Sequence, residues 1–190
     1  MTLAKIPEWV KILNLIKSQG LPIEKGYFSC YRLYVSGKLK SLAELKVIRA
    51  EAKRQGQSVV FTNGCFDLLH RGHVHMLRAA KACGDTLIVA VNSDRSVQTI
   101  KGPRRPVLPE SDRVELIAAM EMVDYVVLFD EPDPYQLIAT LNPDVLVKGG
   151  DWSAEKIIGA DVVQRNGGRV AVVPYLKGFS TSEIIERIKN

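Results

Sequence analysis

The chain has 190 residues, enough for one ordinary domain with a complete hydrophobic core and a short addition. Hydrophobic residues make up 46% and charged residues 25%, which argues against an intrinsically disordered protein. No apolar run approaches the roughly 20 residues that span a bilayer. The net charge of +5 suits a phosphate-rich partner, either a nucleotide or a nucleic acid, and does not choose between them.

The cysteines and the N-terminus indicate the cytoplasm. Cys30, Cys65 and Cys83 are scattered and include no CxxC pair, which favours a reducing compartment over a disulfide framework or a zinc ribbon. The first residues lack the basic-then-apolar layout of a signal peptide. We therefore expect a cytoplasmic protein with no membrane partner.

Residues 1–36 stand apart from the rest of the chain as an N-terminal extension. Residues 7–17 have the apolar spacing of one helical face, and residues 27–35 are rich in aromatic side chains that partly alternate, as in a strand. Neither stretch carries a pattern that indicates chemistry. We expect the extension to serve packing or oligomerisation, and residues 37–190 to form the main domain.

Helix and strand patterns alternate through the main domain. A capping box at residues 41–44 begins a helix that ends near residue 55. Residues 59–61 predict a buried strand, followed by a turn at residues 63–64 and a helix from residue 72. The other predicted elements are strands at residues 86–91, 125–129, 145–147 and 170–173, and helices at about residues 111–122, 134–141, 154–166 and 180–189.

This alternation predicts an α/β fold with a doubly wound parallel sheet of five strands and right-handed crossovers. Ligands bind such sheets outside the carboxyl ends of the strands, near the point where the winding reverses. Polar or glycine-rich segments should therefore follow the strands, and they do so at residues 63–64, 92–94, 148–151 and 180–182. One edge of the sheet is accordingly predicted to hold the functional site.

Residues 62–73, Thr-Asn-Gly-Cys-Phe-Asp-Leu-Leu-His-Arg-Gly-His, join the first strand of the sheet to the next helix. Gly64 lets a ligand approach the main chain, and His70 and His73 lie where free helix N–H groups attract an anion. The absence of Walker A, GxGxxG and serine-elbow patterns argues against the P-loop, dinucleotide-binding and α/β-hydrolase classes. The remaining parts suit phosphoryl or nucleotidyl transfer, which depends on positioning and electrostatics.

The three histidines do not indicate a metal site. His75 falls away from His70 and His73 on the helix, and no cysteine or carboxylate has the spacing of a further ligand. We therefore assign no metal to the protein side chains and interpret His75 as a surface or packing residue.

Residues 62–73 resemble the signature of the HxGH nucleotidyltransferases, a group that includes cytidylyltransferases and several adenylyltransferases. Residues from about 40 to 189 resemble, more specifically, the bacterial D-glycero-β-D-manno-heptose 1-phosphate adenylyltransferases of lipopolysaccharide core synthesis. The further matching segments are residues 91–94, 101–103 with 105–107, 126–127 with 129–130, 143–151 and 180–181. The resemblance implies a Rossmann-like nucleotidyltransferase fold and a homo-oligomer. Many relatives carry a fused sugar kinase, for which this chain has no room, so we expect a stand-alone transferase.

The resemblance also implies a reaction, the transfer of AMP from ATP to heptose 1-phosphate. The partners are ATP and a sugar 1-phosphate, the products are ADP-heptose and pyrophosphate, and Mg²⁺ is carried by the ATP. An oxygen of the sugar phosphate attacks the α-phosphorus in line. His70 and His73 bind the phosphates and stabilise the departing pyrophosphate. Lys101, the third catalytic residue, reaches the phosphates or the incoming sugar phosphate.

The remaining contacts are implied by the same resemblance, position by position. The nucleotide-binding residues are Thr62, Asn63, Gly64, Cys65, Phe66, Gly72, Lys148, Gly149, Asp151, Ser180, Thr181 and Ser182. The substrate-binding residues are Asp67, Asn92, Asp94 and Arg113.

Several of these residues keep a structural alternative. Asp67 either orients the turn or contacts the sugar, Asp94 could cap the following helix, and Arg113 could pair only with neighbouring carboxylates. Ser180 could be no more than a helix cap. Lys101 lies either on a solvated basic loop or on a mobile flap that closes on the substrate, and we favour the flap.

Two other functions remain open. The histidine motif is shared with cytidylyltransferases that act on glycerol 3-phosphate or a related alcohol phosphate, and only residues 148–151 and the overall match favour ATP. A non-catalytic nucleotide or RNA binder would use the positive charge alone. Against that function, the aromatic residues cluster in the N-terminal extension and are not interleaved with basic residues, so we expect no nucleic-acid partner.

Overall fold

The computed structural model describes residues 35–150, 153, 156–176 and 178–189 of the chain. The predictions for most of the N-terminal extension and for Asp151 concern residues outside these ranges. Within them, five strands alternate with seven helices whose bounds are described. None of these helices is long and apolar enough to cross a membrane.

The strands agree closely with the sequence prediction, and the helices agree less well. β1 and β4 run further than predicted, to Gly64 and Gly149, while α4 ends at Ala118 and not at residue 122. The elements in chain order are α1 Leu42–Arg54, β1 Val59–Gly64, α2 Arg71–Lys81, β2 Thr86–Asn92, α3 Asp94–Lys101, α4 Glu110–Ala118, β3 Tyr125–Phe129, α5 Tyr135–Leu141, β4 Val145–Gly149, α6 Ala160–Arg165, β5 Arg169–Val173 and α7 Thr181–Lys189.

Local geometry explains the differences. α6 begins at residue 160, not at residue 154, because Gly159 precedes it with a φ of 85°, which a helix interior does not contain. After α4, the amide of Val123 closes a turn onto the carbonyl of Met120, and this turn starts the path into β3. For α3 the sequence indicates only a start near Asp94 and no bounds, because the buried residues of this helix are only Ser96 and Val97, too few for an apolar pattern.

The sheet has the strand order β3-β2-β1-β4-β5, and all of its strand pairs are parallel. β1 therefore lies between β2 and β4, and the winding reverses between β1 and β4. The carboxyl ends of these two strands, at Gly64 and Gly149, border the crevice where sheets of this kind bind ligands. The predicted doubly wound parallel sheet of five strands is confirmed.

Helices cover both faces of the sheet, because alternate strand residues point to opposite sides. On one face Val60 packs in a cluster with Leu77 of α2 and Ile117 of α4. On the other face Phe61 packs in a cluster with Ile138 of α5. All five side chains are completely buried, and burial of each stabilises the fold by about 1.5–3 kcal/mol. The side chains at the strand ends are therefore carried by a rigid platform.

Candidate active site

The turn after β1 brings the backbone close to the start of α2. A Cβ added at Gly64 would come within 3.1 Å of the Phe66 ring, so a larger residue would displace that ring. Phe66 has a φ of 48°, a left-handed conformation that is uncommon for an aromatic residue and persists only when its surroundings hold it. Its ring lies 5.3 Å from the ring of His73. The predicted phosphate turn and the second histidine are therefore packed together.

The two predicted catalytic histidines cap the N-terminus of α2. The amide of Gly72 donates to Nδ1 of His70 at 3.1 Å, and the amide of His70 donates to Nδ1 of His73 at 3.4 Å. In this capping box two imidazoles replace the usual hydroxyl and carboxylate. The two rings stack with their centroids 3.9 Å apart. Because Nδ1 of each ring accepts a hydrogen bond, each neutral imidazole carries its proton on Nε2.

Burial keeps the two imidazoles neutral at pH 7. It lowers the pKa of His73 from 6.5 to about 4, and the neighbouring His70 adds to this effect. Burial also lowers the pKa of His70, and the carboxylate of Glu183 partly opposes that shift. The site therefore offers two neutral Nε2–H donors at a helix N-terminus, whose free amides and dipole favour an anion.

Lys148 stands at the end of β4, on the other side of the crevice. Its Nζ donates to Oδ1 of Asn63 at 3.0 Å, so this contact joins the ends of β4 and β1. Burial lowers the pKa of Lys148. A Cβ added at Gly149 would lie 3.2 Å from the Met76 side chain, which leaves the end of β4 close against α2. The fold thus brings together the predicted nucleotide residues of β1 and β4.

The N-terminus of α7 meets the histidine loop. The hydroxyl of Thr181 donates to the carbonyl of Leu68 at 3.3 Å, and the amide of Glu183 donates to the hydroxyl of Ser180 at 3.1 Å. Ser182 is exposed on the first turn of α7. The capping alternative for Ser180 is therefore realised, and the cap lies beside the loop that leads to the predicted catalytic histidines.

Asp67 lies inside the histidine motif and is only 1% exposed. Its carboxylate accepts from Nε of Arg105 at 2.6 Å and from the amides of Val107 and Leu108 at 2.7 and 3.1 Å. These contacts are those of the turn-orienting alternative, and contact with the sugar stays a prediction. Sequence reasoning gave Arg105 no role, because its partner is 38 positions away and no local pattern links the two.

The predicted substrate residues Arg113 and Asp94 pair with each other. Arg113 is 0% exposed, and its guanidinium donates to Asp94 at 2.8 Å, to the carbonyl of Cys65 at 2.5 Å and to the carbonyl of Leu108 at 3.0 Å. The alternative in which Arg113 pairs with a carboxylate is therefore realised. The buried guanidinium is not presented to solvent, and its contact with substrate stays a prediction.

Helix α3 corrects two expectations about the next segment. Ser93 is the N-cap of α3, a role considered for Asp94, which is instead the first helical residue. Lys101 is the exposed last residue of α3 and not part of the loop, which begins at Gly102, and closure of this segment on the substrate stays a prediction. Asn92 is buried, and its side-chain amide donates to a serine of α3 at 2.9 Å.

Thr62, near the end of β1, and Cys65, in the turn after it, offer a ligand their backbone groups and not their side chains. Thr62 is completely buried, and its hydroxyl contacts the sulfur of Met76 at 3.7 Å. Burial raises the pKa of the Cys65 thiol, which keeps it protonated at pH 7 and unlike an activated nucleophile. Both residues therefore fit contacts made by the main chain.

Groups able to bind a metal are dispersed in the part of the chain that the structure describes. No three His, Cys, Asp or Glu side chains there come close enough to hold a metal ion. His75 is exposed on α2.

A sequence match accompanies this arrangement of a glycine turn, a histidine-capped helix and a lysine across the crevice. Residues 61–187, more than half of the chain, match the cytidylyltransferase-like family. The chain belongs to the cytidylyltransferase-like family. The matched stretch begins in β1 and ends in α7, so it contains all the elements that border the crevice.

Curated relatives of this family member are bifunctional proteins. The bifunctional protein HldE of Trichlorobacter lovleyi is 50% identical over 151 residues, which cover 80% of this chain and 31% of that protein. The bifunctional protein HldE of Koribacter versatilis is 42% identical over 180 residues, which cover 95% of this chain and 35% of that protein. The chain spans about a third of the length of these curated relatives.

Solved structures share the fold. The lipopolysaccharide core biosynthesis protein from Thermoplasma volcanium aligns with a TM-score of 0.52 and 31% identity, over 65% of this chain and 100% of that one. Pantoate-β-alanine ligase from Francisella tularensis aligns with a TM-score of 0.52 and 15% identity, over 80% of this chain and 76% of that one. The second likeness concerns the fold alone.

Proposed function

We propose that this member of the cytidylyltransferase-like family transfers AMP from ATP to D-glycero-β-D-manno-heptose 1-phosphate and releases pyrophosphate. The observation that carries the proposal is the pair of stacked, neutral imidazoles of His70 and His73 at the crevice, opposite Lys148. Identity of 50% to bifunctional protein HldE supports the choice of donor and acceptor. The likeness to a lipopolysaccharide core biosynthesis protein supports the same pathway.

The proposed reaction exchanges one phosphorus–oxygen bond for another. An oxygen of the sugar phosphate attacks the α-phosphorus of ATP, and the bond from that phosphorus to the bridging oxygen of the β-phosphate breaks. The electron pair leaves with pyrophosphate, and the new bond completes ADP-heptose. The Nε2–H groups of His70 and His73 donate to the phosphates and stabilise the negative charge that grows on the leaving oxygen.

The other predicted nucleotide residues form the walls of the proposed site. The backbone of residues 62–66 holds the α-phosphate, and residues 148–151 line the adenosine pocket. Residues 180–182 cradle the β- and γ-phosphates at the N-terminus of α7, where the helix dipole favours negative charge. Lys101, exposed at the end of α3, reaches the incoming sugar phosphate.

The Mg²⁺ of the reaction arrives with ATP in this proposal. The carboxylates of Asp67 and Asp94 are engaged by Arg105 and Arg113, and no cluster of three metal-binding side chains occurs among the described residues. The described side chains therefore do not form a site of their own for the ion. We assign no residue to hold it, and no step here runs through it.

The donor nucleotide and the acceptor decide between this proposal and its alternatives. Pyrophosphate release is measured with heptose 1-phosphate or glycerol 3-phosphate and each nucleoside triphosphate in turn. We expect turnover with ATP and heptose 1-phosphate far above that with CTP. Turnover only with CTP and glycerol 3-phosphate would make the protein a cytidylyltransferase of alcohol phosphates. No turnover with any acceptor, together with tight RNA binding, would remove the enzyme class.

We also propose that the protein works in the cytoplasm as a homo-oligomer, with residues 1–36 serving packing or assembly. Both described cysteines, Cys65 and Cys83, are free thiols, which supports a reducing compartment. The molar mass in solution, compared between the full chain and a chain lacking residues 1–36, tests the assembly. A monomeric full-length protein contradicts it.

A further inference from the structure

Arg113 joins three segments that are far apart in sequence. Its Nη1 donates to the carbonyl of Cys65 in the turn after β1, 48 positions away, at 2.5 Å. Its Nη2 donates to Asp94 at the start of α3 at 2.8 Å, and its Nε donates to the carbonyl of Leu108 in the loop after α3 at 3.0 Å. A guanidinium offers these donors in a rigid planar fork, whereas lysine has a single ammonium group. Lysine therefore cannot bridge the same three acceptors.

The bond to Cys65 acts on the predicted phosphate donor. The carbonyl of Cys65 and the amide N–H of Phe66 belong to one planar peptide unit and point in opposite directions. An anchored oxygen therefore aims the Phe66 N–H, and a positive charge on that oxygen polarises the unit and makes the N–H a stronger donor. The φ of 48° at Phe66 indicates that this peptide has to be held by its surroundings.

The bond to Asp94 acts on the other end of the proposed site. Asp94 is the first residue of α3 and Lys101 is the last, so one short helix connects them. A helix of this length is a rigid rod of about 10 Å, so the position and direction of its first turn determine the place of its last residue. Asp67 and Arg105 tie the same turn to the loop after α3 a second time, with a contact of 2.6 Å.

We propose that Arg113 is a positioning residue for nucleotidyl transfer. It aims the amide of Phe66 at the α-phosphate. Through Asp94 and α3, it also fixes the position of Lys101 relative to that amide. In this role Arg113 acts through the Phe66 amide and Lys101, in place of the direct substrate contact that the resemblance implies. The inference rests on the proposed function, because it takes the Phe66 amide and Lys101 as phosphate contacts.

The variant Arg113→Lys tests this role by kinetics and by spectroscopy. We expect kcat to fall about 100-fold, the effect of misplacing a reacting group by roughly 1 Å, and KM for ATP to change less than about threefold. The histidines and Lys148, which the proposed function places in the ATP site, remain in place. The Phe66 amide resonance should shift on addition of ATP in the wild type and shift much less in the variant.

Arg49 provides a matched control of the same chemistry away from the crevice. Its Nε donates to the carbonyl of Asn142 at 2.9 Å and its Nη2 donates to Asp144 at 2.7 Å, before the start of β4. Arg49→Lys removes comparable bonds between distant segments at the amino end of the sheet. We expect it to lower the melting temperature and to leave kcat and the Phe66 response to ATP unchanged.

The outcomes separate this inference from the proposed function. The positioning role is overturned if Arg113→Lys keeps the kcat of the wild type. It is also overturned if ATP shifts the Phe66 amide resonance of the variant as much as that of the wild type. If Arg113→Lys does not fold, Asp94→Asn decides: a fall of kcat by about tenfold supports the role, and an unchanged kcat overturns it. If the wild-type protein neither turns over nor shows an ATP-induced shift, the proposed function fails, and this inference fails with it.

Discussion

Lys148 and Asn63 meet across the point where the sheet reverses its winding, with Nζ and Oδ1 3.0 Å apart. They lie 85 positions apart in sequence, at the ends of the adjacent strands β4 and β1. An amine thus lies on one side of the crevice, and two neutral imidazoles cap a helix on the other. A crevice with a donor on each side is suited to a ligand that carries several phosphate oxygens.

Replacement of Lys148 by methionine should weaken ATP binding. The amine is half-buried beside the turn, and loss of one charged hydrogen-bond donor costs about 1.5–3 kcal/mol, or roughly 10- to 100-fold in Kd. Calorimetric titration with ATP measures the change. The exposed Lys53 of α1 offers the control Lys53→Met, which should bind ATP like the wild type. Equal Kd values for the two variants contradict a nucleotide contact at Lys148.

Replacement of His73 by alanine should remove most of the activity without unfolding the protein. The change deletes one Nε2–H donor at the leaving group, a loss that typically lowers kcat by about 10²- to 10³-fold. It also removes half of the helix cap, which costs about 1 kcal/mol of stability. Steady-state kinetics and circular dichroism test both effects. His75→Ala, on the exposed side of the same helix, should keep wild-type kcat.

Stability should decrease as the pH falls from 6.5 to about 4. His73 takes up a proton near pH 6.5 when the chain is unfolded, but only near pH 4 in the buried site. The unfolded state therefore binds more protons in this interval, and above it both states are neutral, so the contribution vanishes. The full loss of unfolding free energy from His73 is about 3 kcal/mol at most. The lowered pKa of His70 changes the stability in the same direction.

Urea unfolding of the wild type and of His73→Gln, which removes the titration, measures this effect. The free energy of unfolding of the wild type, relative to the variant, should shrink between about pH 7 and about pH 4.5. A difference that stays constant over this range would show that the imidazole of His73 titrates at its ordinary pKa.

A pair of glycines separates backbone strain from steric conflict. Gly159 and Gly167 have φ values of 85° and 83°, but a Cβ added at Gly159 would lie 2.8 Å from Ile138, whereas nothing lies within 4 Å at Gly167. Gly167→Ala should cost about 1–2 kcal/mol from the left-handed backbone alone. Gly159→Ala should cost about 1–3 kcal/mol more, because overpacking is added. Equal losses of unfolding free energy would contradict the close approach to Ile138.

The fold was predictable because its signals are local and repeated. The three inner strands, β2, β1 and β4, contain continuous apolar runs buried on both faces, and each strand predicted for the main domain is present. The histidine motif was recognisable for the same reason, since the turn and both imidazoles fall within residues 62–73. Even there, the capping of α2 by imidazole nitrogens was not foreseen, because capping patterns are defined on serine, threonine and acidic residues.

The remaining parts of the site depend on contacts between distant residues. Asp67 meets Arg105 across 38 positions, and Arg113 meets the carbonyl of Cys65 across 48 positions. Such contacts leave no periodic pattern in the sequence, because they are set by how the loops fold over the edge of the sheet. For the same reason the sequence favours a flap at Lys101, although Lys101 ends a helix whose first residue, Asp94, pairs with Arg113.

Phosphorus-31 NMR of a single reaction mixture tests the central claim most directly. Purified protein is incubated with equal amounts of ATP and CTP, heptose 1-phosphate and Mg²⁺. We predict the paired resonances of ADP-heptose together with pyrophosphate, while the CTP resonances persist. Consumption of CTP with formation of a CDP-linked product, or release of inorganic phosphate without any nucleotide sugar, would contradict adenylyl transfer at this site.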